Sequence, residues 1–184
     1  MLSFPQAHAN PLREIKTLSQ QAQHTPAPEP AHAKQARAGV PASLAFAAAI
    51  AIFVLTALPP EVTGAQSDSV GDLLAGLLGA FPGVYDPQAG ELFGIGIRRW
   101  AHVVEFGVLG LFVAMAACRM LRPRLARAAG ASLAICLACS LLDQCHKLFV
   151  PGRHFDGADL VVDAVGYGLA ILVVVAWGRA HRVA

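Results

Sequence analysis

The chain has 184 residues, 55% of them hydrophobic and 14% charged, with a formal net charge of +2 and a mean hydropathy of +0.53. A soluble domain usually carries about a quarter charged residues to keep its surface wet, so this composition excludes an ordinary soluble globule and points to lipid as the solvent. The small net charge, with no basic patch interleaved with aromatics, excludes nucleic-acid binding.

Residues 1–40 are polar and rich in Ala, Gln, His and Pro, as in the run TPAPEP at 25–30. Such a stretch cannot bury enough apolar surface to offset chain entropy, so a disordered tail is expected, with room for a short helix over 12–21. No apolar run begins before about residue 40, which argues against a cleavable signal peptide.

Four long apolar segments follow, at 42–58, 100–118, 130–150 and 159–177. Each approaches the ~20 residues with which a helix crosses a ~30 Å hydrocarbon core, the first being slightly short. Pro59 and Pro60 stop the first, Pro151 and Gly152 the third, and Trp100 and Trp177 mark segment ends. The expected fold is therefore all-α: a membrane domain of four transmembrane helices over 41–179, between the disordered tail of residues 1–40 and a short tail of residues 180–184. The four cysteines, Cys118, Cys136, Cys139 and Cys145, lie in or beside these segments and read as small packing residues.

Ten of the fourteen cations lie in the N-terminal tail, in the 119–128 loop and after residue 178, whereas residues 59–97 hold five acids and no Lys or Arg. The positive-inside rule places both termini in the cytoplasm. Arg98, Arg99, Lys147 and Arg153 dissent, all at outer helix ends or in the short second outer loop, and so require roles of their own. Within 59–97, Val70, Leu73, Leu74, Leu77, Leu78 and Phe81 share one helical face. That helix could lie on the outer membrane surface or close over the bundle mouth as a lid.

Ionisable groups inside membrane segments cost several kcal/mol unless paired or hydrated. Rising about 1.5 Å per residue from Arg99, His102 lies roughly 4–5 Å in and Glu105 about 9 Å in. Asp143, His146 and Lys147 form a second stripe, and Asp159 with Asp163 a third. Turned inward, the three stripes meet as one polar pocket near the outer surface, and Arg153 sits in the tight outer loop beside it. Gly107, Gly110, Ala131, Ala134, Ala138, Gly166 and Ala170 offer small surfaces for close helix approach. His102-x-x-Glu105 and Asp143-x-x-His146 also look like the pairs with which bundles hold di-metal centres, so these four are the alternative metal ligands for a divalent ion. Lys147 and the nearby arginines weigh against a bound cation, and the main expectation is no metal and no other cofactor.

The run from Arg98 through His102, Glu105 and Phe106 to Gly110 resembles the first signature of the VanZ-like family. Asp143 to Arg153, followed by Asp159, Asp163 and Gly166, resembles the second. The resemblance covers roughly 42–178. It implies a bacterial inner (cytoplasmic) membrane protein of the cell envelope, from a family associated with low-level resistance to the glycopeptide antibiotic teicoplanin. The family usually has Glu where Gln144 stands and Gln where Lys147 stands, so the local charge differs by two units.

Three classes of function fit. The first is a non-catalytic protein whose outward pocket, built from Arg98, Arg99, His102, Glu105, Asp143, His146, Lys147, Arg153, Asp159 and Asp163, binds a lipid-linked or peptidoglycan-related ligand or an antibiotic. The second is a membrane hydrolase using His102, Glu105, Asp143 and His146 on a lipid-linked substrate. The third is a transporter, disfavoured because no internal repeat and no midplane polar residue is visible. The expected partners are the lipid bilayer and that ligand, and homo-oligomers stay open.

Overall fold

The computed structural model describes residues 31–183, apart from 79, 80, 82, 122 and 123. The predicted disordered tail and its short helix lie, over 1–30, outside the described residues. The elements in chain order are α1 (Ala31–Ala57), α2 (Pro60–Leu78), β1 (Tyr85–Asp86), β2 (Glu91–Leu92), β3 (Ile95–Gly96), α3 (Ile97–Met120), α4 (Leu125–Lys147) and α5 (Gly157–Val183). Four helices are long and apolar enough to cross a membrane: α3, α4, most of α5, and α1 from Gly39 onward.

Hydrogen-bonded helix outruns the apolar blocks at most ends. Residues 31–40, predicted as tail, are helical and run into α1 through Pro41. Ala is the best helix former, and the four alanines at 31, 33, 36 and 38 explain the extension. The exceptions are the end of α1, at Ala57 rather than residue 58, and the end of α4, which stops at Lys147 rather than at residue 150. A proline disfavours the helical region for the residue before it, here Val150, and the amides of Leu148, Phe149 and Val150 bond three residues back, to the carbonyls of Cys145, His146 and Lys147.

The bundle is organised on α3, which packs most extensively against α5 and then against α1 and α4. Phe106, Leu109, Val113 and Ala117 of α3, three or four residues apart, form one stripe of the core, and Tyr167, Ile171 and Val175 of α5 form the facing one. The α3–α5 seam is close because glycine lines it. A Cβ on Gly166 would lie 2.4 Å from the Val103 carbonyl oxygen, and one on Gly110 2.7 Å from Tyr167 Cα. Of the other small residues, Ala134 and Ala138 are exposed and take no part in such a seam. Leu169, Leu172, Val173 and Trp177 on the far side of α5 are well exposed, the surface that lipid solvates.

The 59–97 connection is more structured than its sequence suggests. Helix α2 starts at Pro60 and ends at Leu78, so Phe81 lies beyond it. Gly71 on its small face meets protein closely: a Cβ there would come within 2.8 Å of the Tyr85 hydroxyl. Leu73 and Leu77 are exposed. The three two-residue strands pair antiparallel as a meander. Phe93 and Gly94, at φ 54° and 72°, form the β2–β3 turn, the double positive φ of a type I′ hairpin. β3 runs directly into α3, and Trp100 Nε1 donates to the Leu92 carbonyl at 2.9 Å, fixing the sheet on the first turn of that helix.

Candidate functional site

Polar side chains from α1, α3, α4 and α5 converge at the end of the bundle that carries the 59–97 connection. On α3, His102 is buried, and its Nδ1 lies 3.0 Å from Asp163 Oδ1 of α5. The other Asp163 oxygen accepts from the Ser140 hydroxyl of α4 at 2.7 Å. One turn earlier on α5, Asp159 Oδ2 accepts from Lys147 Nζ at 2.8 Å and lies 3.7 Å from His102 Nε2. Lys147 Nζ is also 3.6 Å from Asp143 Oδ2, its partner one turn back on α4, and Asp143 Oδ1 accepts from the Thr56 hydroxyl of α1 at 2.6 Å. The result is one continuous chain of contacts: Ser140, Asp163, His102, Asp159, Lys147, Asp143, Thr56.

All seven side chains are buried, three of them carboxylates and one a lysine. Burying a charge is tolerable only when it is paired and hydrogen-bonded, and Lys147 supplies the pairing for two of the three. His102 faces the remaining carboxylate and Asp159 together, so a proton on its ring would be shared between two acids. Lys147 thus occupies a fully enclosed position between two carboxylates. The neighbouring Gln144 is equally enclosed, and its Oε1 accepts the Asp156 amide at 3.2 Å.

Two predicted site residues stand apart from this chain. His146 points toward α1, its ring 5.5 Å from that of Phe53, and its buried Nε2 has no hydrogen-bond partner among the described residues. Glu105 is half-buried and turned toward a cavity, without a hydrogen bond to the network. His102, Glu105, Asp143 and His146 therefore do not converge as one ligand set. Among the described residues no three His, Cys, Asp or Glu side chains come together as a metal site.

Beside the network lies a cavity of 410 Å³ between α1, α2 and α3. His102, Thr56 and Glu105 open onto it, and Val70 and Leu74 of α2 close its other side. A second cavity of 350 Å³ adjoins it, with Arg99, His154, Asp156 and Asp159 on its wall. Arg98 and Arg153 line both. Arg153 is tied down by its Nε and Nη2, which donate to the Leu58 carbonyl at 3.2 and 3.0 Å, and Nη2 also reaches the Thr63 hydroxyl at 3.1 Å. Burial and the neighbouring Arg98 charge push its pKa below the usual arginine value.

Three participants were not singled out from sequence. Thr56, Ser140 and Thr63 are hydroxyls that pass for neutral residues in or beside apolar helices. Their only signal is a polar oxygen at the same depth as the ionisable stripes, and that depth is readable only once the helices are aligned.

Neither a comparison with curated proteins nor one with solved structures gives a match. The VanZ/LLP1 family model matches residues 43–178, which reaches all four membrane-capable helices and takes in every residue of the polar chain described above. On that match, over well more than half of its length, the chain belongs to the VanZ/LLP1 family.

Proposed function

We propose that this VanZ/LLP1 protein is a non-catalytic component of the bacterial cell envelope, seated in the inner membrane with both termini in the cytoplasm. Its cavity faces outward and binds a lipid-linked or peptidoglycan-related ligand, or a glycopeptide antibiotic. The observation that carries the reading is the 410 Å³ cavity, in which an apolar wall meets Arg98, His102, Glu105 and Arg153. That volume and that mixture, mainly apolar with a few convergent polar groups, are typical of small-molecule sites.

Trp100 lines the cavity and is one of two tryptophans in the chain, so it reports on occupancy. In a Trp177→Phe background, titration with a lipid-linked peptidoglycan precursor, and separately with teicoplanin, should shift Trp100 emission saturably for at least one. Ala101→Phe, which fills the cavity, should abolish the response. Wild-type protein that responds to neither ligand would sink the binding reading.

The hydrolase alternative has one observation in its favour. Asp163 holds His102 by Nδ1, the arrangement that leaves Nε2 as a base. That Nε2 instead faces Asp159 within the buried chain, which supports pairing over catalysis.

The orientation has its own test. A reporter active only in the cytoplasm should work when fused after Ala184, and one that requires export should work at Ser67. The reverse pattern would turn the cavity toward the cytoplasm.

A further inference from the structure

The two adjoining cavities differ in chemistry. The larger is walled chiefly by apolar side chains, among them Leu55, Val70, Leu74 and Val104. The smaller presents Glu91, Arg99, His154 and Asp156 and is the more polar of the two. Their shared edge is made by two guanidinium groups, Arg98 and Arg153, and Arg98 also borders a third pocket beneath β1. Arg98 is exposed and makes no hydrogen bond or ion pair among the described residues. Arg153 commits Nε and Nη2 to the chain and keeps Nη1 for another acceptor.

Burial and the like charge of Arg98 both disfavour the Arg153 cation, and the carboxylates of Asp143, Asp159 and Glu105 offset this only in part. An anion between the two arginines would relieve both. Arg98 can donate a parallel pair and Arg153 its Nη1, and the three terminal oxygens of a phosphate monoester can accept from both at once. Glu105 supplies the polarity of the arrangement. It lies seven residues, or about 10 Å, along α3 from Arg98 and opens onto the larger cavity, so a negative headgroup is repelled from that depth and held at the shared edge. What enters beyond the edge must be uncharged and apolar.

The geometry points to a phosphate-bearing amphiphile as the ligand class, with its hydrocarbon part in the 410 Å³ cavity and its phosphate between Arg98 and Arg153. A hydroxyl-bearing headgroup then occupies the 350 Å³ cavity, where Glu91 and Asp156 can accept its hydrogen bonds. This rests on the reading of the larger cavity as a binding site and adds the chemistry of what binds.

The test uses full-length Trp177→Phe protein in a neutral alkyl maltoside, read by Trp100 emission. The probes are dodecyl phosphate, 1-dodecanol and inorganic phosphate, followed by phosphatidylglycerol and a polyprenyl phosphate to separate a bulk membrane lipid from a lipid-linked carrier. Dodecyl phosphate should bind saturably, and Arg98→Gln should weaken it roughly tenfold, the loss of one charged hydrogen-bonded contact. Arg98→Lys, which keeps the charge without the fork, should fall between. Arg98 is exposed, so these variants leave the fold intact, whereas Arg153→Gln also frees the Leu58 carbonyl and is a secondary probe. Inorganic phosphate should produce no shift of Trp100. If dodecanol binds as well as dodecyl phosphate, or Arg98→Gln leaves the phosphate affinity unchanged, the phosphate assignment fails while the cavity survives as a binding site. If inorganic phosphate alone binds, the amphiphile is wrong. If no probe binds, both this inference and the binding reading fall.

Discussion

Lys147→Met should lower stability more than any other single removal of a side-chain charge in this chain. The ammonium is almost wholly enclosed and stands between Asp159 at 2.8 Å and Asp143 at 3.6 Å. Methionine matches its length and shape but leaves two buried carboxylates without a cation. Breaking a buried pair by removing one partner costs about 3–5 kcal/mol, most of it the uncompensated charge left behind. Detergent-solubilised protein should show this loss in equilibrium or thermal unfolding. Adding Asp143→Asn to the methionine variant should return part of it, because one of the stranded charges is then gone and the amide can still accept from Thr56. Lys147→Gln keeps a donor within the site and should cost less than methionine. A methionine variant within about 0.5 kcal/mol of the parent, the range of a neutral surface change, would show that the lysine is not the counter-ion of this cluster.

Gly166→Ala should be nearly as damaging, for a steric reason. The new methyl group would sit 2.4 Å from the Val103 carbonyl oxygen and 3.1 Å from the Gly107 amide nitrogen. Both are backbone atoms of α3, so no side-chain rotation can make room and the two helices must separate. Overpacking of this kind costs typically about 1–3 kcal/mol. The same shift would stretch the His102–Asp163 bond, which crosses the seam one turn away. Gly168→Ala is the matched control, two residues on, where a Cβ meets nothing within 4 Å. It should be neutral or slightly stabilising, since alanine is the better helix former. Equal melting temperatures for the two alanine variants would mean that the α3–α5 seam is looser than its glycines imply.

Both predictions concern residues that the sequence had placed on the right helices. A membrane chain reveals its helices readily because lipid demands an unbroken apolar run of a given length. Residues 42–58 or 159–177 are therefore legible as spans without knowledge of any neighbour. The cost of an ionisable group in lipid makes His102, Asp143, Lys147, Asp159 and Asp163 conspicuous for the same reason, and their spacing fixes which face of its own helix each occupies. Periodicity goes no further. It does not say how far one helix is rotated or slid against the next, and that alone decides which stripe meets which.

The tertiary structure settled this through the glycine seam of α3 and α5, which sets the depth at which His102 reaches Asp163, 61 residues away. It also turned His146 toward Phe53 and Glu105 toward a cavity, so that four residues spaced like metal ligands belong to different surroundings. The hydroxyls of Thr56 and Ser140 gained roles only because that packing set a carboxylate against each. The meander before α3 stayed hidden because two-residue strands have no period to detect, and its turn depends on positive φ at Phe93, a residue that gives no hint of one. Composition and spacing determined the helices and the face each polar group takes. Contacts between faces, and the cavity they leave, arise from backbone distances that only the packed bundle defines.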